Sequence, residues 1–143
     1  MLTQTEADSL IVMRKSLATP GTIVMPPGID GTHDLIGADP RERFLLDIWR
    51  GTLRLSKLKF QTRARAIVVL IRVDIGGAPH TNPDGQSIGG THIHRYREGY
   101  EDRWAEVLEP TEFSDPSDIA QAFGDFCRIC NIAPVPSFQR GLV

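Results

Sequence analysis

The 143-residue sequence contains only two cysteines, Cys127 and Cys130, both in one CRIC motif. A single pair excludes the disulfide framework on which small secreted domains depend. No apolar run approaches the roughly 18 residues of a membrane-spanning helix, and the N-terminal MLTQTEADSL has no basic segment followed by an apolar one. A cytoplasmic protein with no membrane partner is expected. There is no repeat and no low-complexity stretch. A formal charge of −2 exerts no global pull on nucleic acid, so any such argument rests on local patches. With 41% apolar residues, the chain fits one domain over 1–143 with a single core, large enough to need no metal or disulfide staple.

Sequence patterning predicts an α+β fold: a curved antiparallel sheet of about five strands with an N-terminal and a C-terminal helix. Thr3 and Glu6 have capping-box spacing, and Ala7, Leu10, Ile11 and Leu17 follow on one face, predicting a helix from about Thr5 to Ser16. Thr22 to Met25 reads as an edge strand or an extended connection, and the polar, glycine-rich stretch from Gly28 to Asp39 carries no clear pattern. Strands are predicted over Phe44–Trp49, over Thr52–Phe60 with a bend near Ser56-Lys57, and over Ala66–Ile71, the last buried on both faces. His92–Glu98 and Arg103–Leu108 form a predicted hairpin around Gly99-Tyr100. Ser114-Asp115-Pro116 then opens a closing helix with Ile119, Phe123, Phe126, Cys127 and Cys130 as its buried stripe. The proline-rich tail is expected to pack through Ile132, Val135 and Phe138.

Three of the four histidines, His80, His92 and His94, fall in PHTNPDGQSIGGTHIHRYREGYEDRW, a span with no plain apolar face. On a strand, His92 and His94 point to the same side, together with Tyr96 and Glu98. Two chemistries suit that geometry. Both imidazoles can bind one metal ion, with His80 or Glu98 as a third ligand. Alternatively, one histidine takes a proton and another gives one, which needs no metal or other cofactor. A hydrogen-bonded pair that only supports a loop is the structural alternative. Asn82-Pro83-Asp84-Gly85 is strong turn chemistry, either an ordinary connection or a loop that closes over a ligand, carries His80 toward His92 and His94, and lets Asp84 orient an imidazole. Cys127 and Cys130 read as small buried residues, with a zinc site shared with His92 and His94 as the alternative.

A second theme is basic. Between Ile48 and Val73 lie Arg50, Arg54, Lys57, Lys59, Arg63, Arg65 and Arg72 with no acid among them, and Phe60 and Gln61 interleave. A phosphate backbone suits a ribbon face of this kind, joined by Arg95 and Arg97; a solvated sheet edge is the alternative.

The spacing His92-x-His94-x-x-x-Glu98 resembles part of the first cupin motif, although Gln86 and Ala105 stand where that pattern has glycines. From FLLDIWRG through IRVDIGG, PHTNPDG, HIHRYREGYEDRWA and the closing QRGLV, the chain resembles a family of small uncharacterised bacterial and prophage proteins, a domain of unknown function. That resemblance implies a standalone bacterial or phage protein and attaches no activity to it.

The function expected first is a small, toxin-type, metal-independent ribonuclease. His80, His92 and His94 would act as acid and base, Arg95 or Arg97 would steady phosphate charge, and Tyr96 would position the sugar hydroxyl. Arg54, Lys57, Lys59, Arg63, Arg65 and Arg97 would bind the RNA backbone. The alternatives are a non-catalytic regulator that binds RNA or a protein partner such as an antitoxin or host target, and a metal protein using His92, His94 and Glu98.

Overall fold

A computed structural model describes residues 1–141; Leu142 and Val143, the end of the QRGLV motif, lie outside the described residues. The chain is α+β. Helix α1 (Gln4–Val12) starts where the capping box predicts, with the Thr3 side chain accepting from the Glu6 amide and Glu6 reaching back to Thr3. It stops well short of Ser16, because Lys15 begins strand β1 (Lys15–Leu17). The Lys15 ammonium donates to the carbonyls of Ile11, Met13 and Cys130, each at 2.9 Å, so one buried cation satisfies groups left open at the ends of both helices.

Beyond β2 (Ile23–Val24) come β3 (Asp30–Gly37), β4 (Arg43–Arg50), β5 (Leu58–Ala64) and β6 (Val68–Ile75). The hairpin pair β7 (His80–Thr81) and β8 (Ser87–Ile88) precedes β9 (His92–Arg95) and β10 (Ala105–Val107). Helix α2 (Ile119–Ile129) and β11 (Phe138–Gln139) complete the order. Among the described residues the main sheet has seven strands, β1-β3-β4-β5-β6-β9-β10, every neighbouring pair antiparallel. It is thus larger than the five-strand expectation, chiefly because the unpatterned Gly28–Asp39 segment supplies β3. There Thr32 and Asp34 lie on a polar face beside Asp47 and Leu45, so a burial-based pattern is weak.

Three element boundaries differ from expectation for identifiable reasons. Residues 51–57 turn rather than extend: Gly51 N–H donates to the Lys57 carbonyl at 2.9 Å, Arg50 Nε takes the Leu55 carbonyl at 3.0 Å, and Leu53 is left 98% exposed. The run expected over Ala66–Ile71 begins as a turn, with Arg65 and Ala66 at φ 52 and 67 and Ile67 exposed, and the strand runs from Val68 to Ile75 instead. Helix α2 starts at Ile119, later than Ser114-Asp115-Pro116, because the Asp118 carboxylate caps the amides of Ala120 and Gln121 while Asp115 is spent on the turn to Ser117.

One face of the sheet carries Leu35, Phe44, Leu46, Ile48, Leu58, Phe60, Ile71, Val73 and Ile93, buried against α1 and α2. The expected α2 stripe is in place, Phe60 packing 5.7 Å from Phe123 and 5.6 Å from Phe126 between ring centroids. Phe138 stacks on Phe123, and its strand pairs in parallel with β2, so the tail packs through Ile132 and Phe138 while Val135 is 40% exposed. Alternation leaves the opposite face polar, and its residues align in two rows across the strands. One row reads Asp30, Trp49, Lys59, Asp74, His92; the other reads Thr32, Asp47, Gln61, Arg72, His94.

Candidate functional site

The histidines meet on this polar face. β9 places His92 and His94 on the same side, next to Asp74 and Arg72 of β6. The chain then turns so that Tyr96 leaves them: its hydroxyl donates to the Leu2 carbonyl at 2.5 Å and its ring joins the core. β9 therefore does have a core face, formed by Ile93, contrary to the sequence reading.

The loop 77–90 folds back over the histidines. Its neck closes where Gly77 N–H donates to the Gly90 carbonyl at 3.0 Å, an approach so tight that a Cβ on Gly90 would collide with the Gly77 oxygen. At its tip Asp84 Oδ1 accepts from the Gln86 amide, which holds the turn and keeps Asp84 away from the imidazoles. Two contacts pin the loop to the edge strand: buried Asn82 bonds both backbone groups of Ala105, and His80 Nε2 donates to the Arg103 carbonyl at 2.7 Å. The His80 ring consequently lies 4.7 Å from that of His94 and 5.8 Å from that of His92.

Hydrogen-bond geometry assigns the protons. His94 Nδ1 faces the Asp102 carbonyl at 2.7 Å and must donate; its Nε2 lies between Arg72 Nη2 at 2.9 Å and Asp74 Oδ2 at 3.4 Å. His92 has an acceptor on both sides, the Gly89 carbonyl 2.6 Å from Nδ1 and Asp74 Oδ2 3.0 Å from Nε2, which fits an imidazolium. His80 donates through Nε2, and its Nδ1 has no hydrogen-bond partner among the described residues. Burial acts to raise the Asp74 carboxyl, but the His94 contact and the positive charge of Arg72, His92 and His94 outweigh it and hold the group at about 2. Asp74 Oδ1 is buried with no partner among the described residues.

Donors for a metal ion are also present. One atom each from Asp74, His92 and His94 lie within 4.8 Å of one another, and both histidines offer Nε2 while Nδ1–H is anchored on a backbone carbonyl. Against this, the Arg72 guanidinium already touches two of the three donors, at 3.2 Å from Asp74 Oδ2 and 2.9 Å from His94 Nε2. Glu98, the ligand expected from spacing, is elsewhere, its carboxylate accepting from the Gln4 amide at 2.7 Å. Cys127 and Cys130 are buried in the core, where burial raises both thiols, Cys130 to about 12.

The site opens into a pocket of about 210 Å³ lined by Lys57, Lys59, Arg72, Asp74, His80 and His92. His94 is fully buried behind it. A larger cavity of about 790 Å³ lies at the other face of the sheet, lined by Arg95, Tyr96, Arg97, Trp104 and several acids. It contains none of the histidines. Arg95 there is bound by Glu112 at 2.9 and 3.0 Å, and Arg97 lies 4.3 Å from the Trp104 ring centre.

The basic ribbon does not form one cationic face. Asp47 takes Arg63 through two hydrogen bonds of 2.7 and 2.8 Å, Glu42 takes Arg65 at 3.2 Å, and Arg50 is buried on the Met25 and Arg140 carbonyls. Arg54 sits in the 51–57 turn. Lys57 and Lys59 are different. They have no ion pair among the described residues, and both reach toward Trp49, 5.6 and 5.5 Å from its ring centre. The acids that neutralise Arg63, Arg65 and Arg72 are Asp47, Glu42, Asp74 and Asp102, all outside the run, so the local charge pattern conceals them.

Sequence reasoning put Arg72 in the basic run and Asn82 in the loop without joining either to the histidines, and it missed Asp74 and Asp102. The signal was the polar alternation Arg72-Val73-Asp74 in an otherwise apolar strand, which gains meaning only once β6 is known to pair with β9.

The chain belongs to the family of unknown function DUF6978, which it matches over residues 2–132. No curated protein and no solved structure matches it. No helix among the described residues is long and apolar enough to cross a membrane.

Proposed function

We propose that the protein is a small ribonuclease-like enzyme that cleaves RNA by histidine acid–base chemistry at the polar sheet face. The observation that carries this reading is the convergence of His80 and His92 on one pocket that also holds Arg72 and the unpaired Lys57 and Lys59. Three cations suit a phosphodiester, and Arg72, fixed by Asp74 and Asp102, is placed to steady its charge. His80 Nδ1 takes the proton of the ribose 2′-hydroxyl, the 2′-oxygen attacks phosphorus, and the bond to the 5′-oxygen breaks. The leaving oxygen receives a proton from Nε2 of the His92 imidazolium, which gives up its contact with Asp74 to do so, giving a 2′,3′-cyclic phosphate and a 5′-hydroxyl end. His94 is a positioning residue that holds Arg72, while Arg95 and Tyr96 have no part in this scheme. The setting we propose is a bacterial or phage cytoplasm, with RNA as substrate and, for a toxin-type enzyme, a neutralising protein partner.

The test is incubation of mixed RNA with chelator-treated wild type and with His80→Ala. General acid–base groups contribute about 10²–10⁴-fold, so the variant should lose at least about 100-fold of the cleavage rate while its circular dichroism is unchanged. Undiminished cleavage by a folded His80→Ala protein would falsify the assignment. The three convergent donors favour one second reading, a divalent metal held by Asp74, His92 and His94 after Arg72 moves aside. Elemental analysis of purified protein separates the two: one metal per chain supports the second reading, and none supports the first.

A further inference from the structure

We infer that Trp49, with Lys57 and Lys59, forms a subsite for a nucleotide about two positions from the cleaved bond, and that the substrate is therefore single-stranded RNA. This rests on the ribonuclease reading for what happens at His80 and adds where a flanking base goes.

The sheet register supplies the path. Trp49, Lys59, Asp74 and His92 stand side by side on consecutive strands of the polar face. Neighbouring strands are about 4.8 Å apart, so Trp49 and His92 are separated by roughly 14 Å, the reach of about two nucleotides of an extended strand. Between them the surface is cationic: Lys57 and Lys59 line the histidine pocket and also approach the Trp49 ring. The same two ammonium groups thus connect the reacting centre with a partly exposed indole. Beyond Trp49 the row ends at the exposed acid Asp30, which bounds the track on the side away from the histidines.

An aromatic face beside a cationic track is how proteins hold single strands, since every base has a face to stack and every linkage a phosphate to neutralise. Bases in a duplex are already stacked and paired, so their faces are closed to Trp49. The ring and both lysines would be used together only by an unpaired strand. Trp49 stands out among the aromatic residues of β4 and β5 because Phe44 and Phe60 are buried in the core.

The test uses a 2′-O-methyl RNA hexamer, which lacks the attacking hydroxyl and cannot be cleaved. Its binding is followed by fluorescence of Trp49 in a Trp104→Phe background, where Trp49 is the only indole. Saturable quenching by the single strand, with little by the same sequence in a duplex, is expected. Measured by anisotropy of a fluorescein-labelled hexamer, which needs no indole, Trp49→Ala should weaken binding about tenfold, and Trp49→Phe should restore most of it. Absence of quenching while wild type still cleaves RNA overturns the subsite and leaves the ribonuclease reading standing. Quenching with no cleavage supports the subsite and removes the enzymatic reading. Equal quenching by duplex overturns the single-strand assignment, and neither quenching nor cleavage overturns both.

Discussion

Asn82 takes the place of a neighbouring strand for Ala105: its side-chain amide donates to the Ala105 carbonyl at 3.0 Å, and its side-chain oxygen accepts from the Ala105 amide at 2.8 Å. The pair closes the outer edge of β10 and, in the same contact, anchors the loop that brings His80 onto His92 and His94. Replacing Asn82 with Ala leaves two buried backbone groups without partners. That should cost about 1–3 kcal/mol in a denaturant melt. Because β9–β10 pairing does not depend on Asn82, the sheet should survive while RNA cleavage falls. Amide exchange at Ala105 is the direct readout, and unchanged exchange together with unchanged cleavage would remove Asn82 from the loop-anchoring role.

Lys57 and Lys59 are the members of the basic run that carry unneutralised charge next to the histidine pocket. Reversing both, Lys57→Glu with Lys59→Glu, should weaken binding to single-stranded RNA. It should also lower the slope of log affinity against log salt by about 1.4, at roughly 0.7 per lost phosphate contact. Reversing Arg63 and Arg65 should act differently, because Arg63 is bound to partly buried Asp47 and Arg65 to Glu42. There the expected loss is thermal stability, with the salt slope retained. A salt slope that responds to Arg63 and Arg65 but not to the lysines would reverse this assignment.

These contrasts show what could be read from the sequence and what could not. The α1 capping box, the α2 stripe and the β4 alternation were legible because each is a local pattern set by one periodicity. The shared side of His92 and His94 was legible for the same reason. Asp74 was not, since its role depends on which strand lies beside β9. Nor was the neutralisation of Arg63 and Arg65, whose partners Asp47 and Glu42 lie outside the run. Tyr96 shows the opposite failure: the period of a strand puts it with the histidines, but the strand ends at Arg95 and the ring turns into the core.

Lys15 offers a test of the fold that is independent of the polar face. Burial pushes its ammonium from 10.5 down to about 8. Between those values the unfolded chain holds a proton that the folded chain has lost, so the Lys15 contribution to stability rises with pH across that window. The rise is on the order of 3 kcal/mol at 1.36 kcal/mol per pKa unit. Burial of Cys127 and Cys130 acts the other way above pH 9, so the readout is the difference between wild type and Lys15→Met, which share both thiols. Wild type should gain on the variant from pH 8 to 10.5, and a difference that stays constant over that range would contradict the burial of a charged Lys15.

Asp74 gives the corresponding test at the site. Its carboxyl is held at about 2 against an ordinary value of 3.8, so the folded state binds the proton less readily than the unfolded chain. The sign follows directly: Asp74 contributes its full stabilisation above pH 3.8 and loses it as pH falls toward 2. From the size of the shift the contribution is on the order of 2 kcal/mol. Asp74→Asn keeps the shape and removes the charge that faces His92, His94 and Arg72. Wild type should therefore exceed the variant in stability at pH 6, and the gap should narrow progressively below pH 4. A gap that stays constant down to pH 2 would mean that the Asp74 charge does not hold the cluster together and that packing around it does. In that case the His92 imidazolium would lose its counter-charge, and with it the physical basis for the proton donor in the proposed reaction.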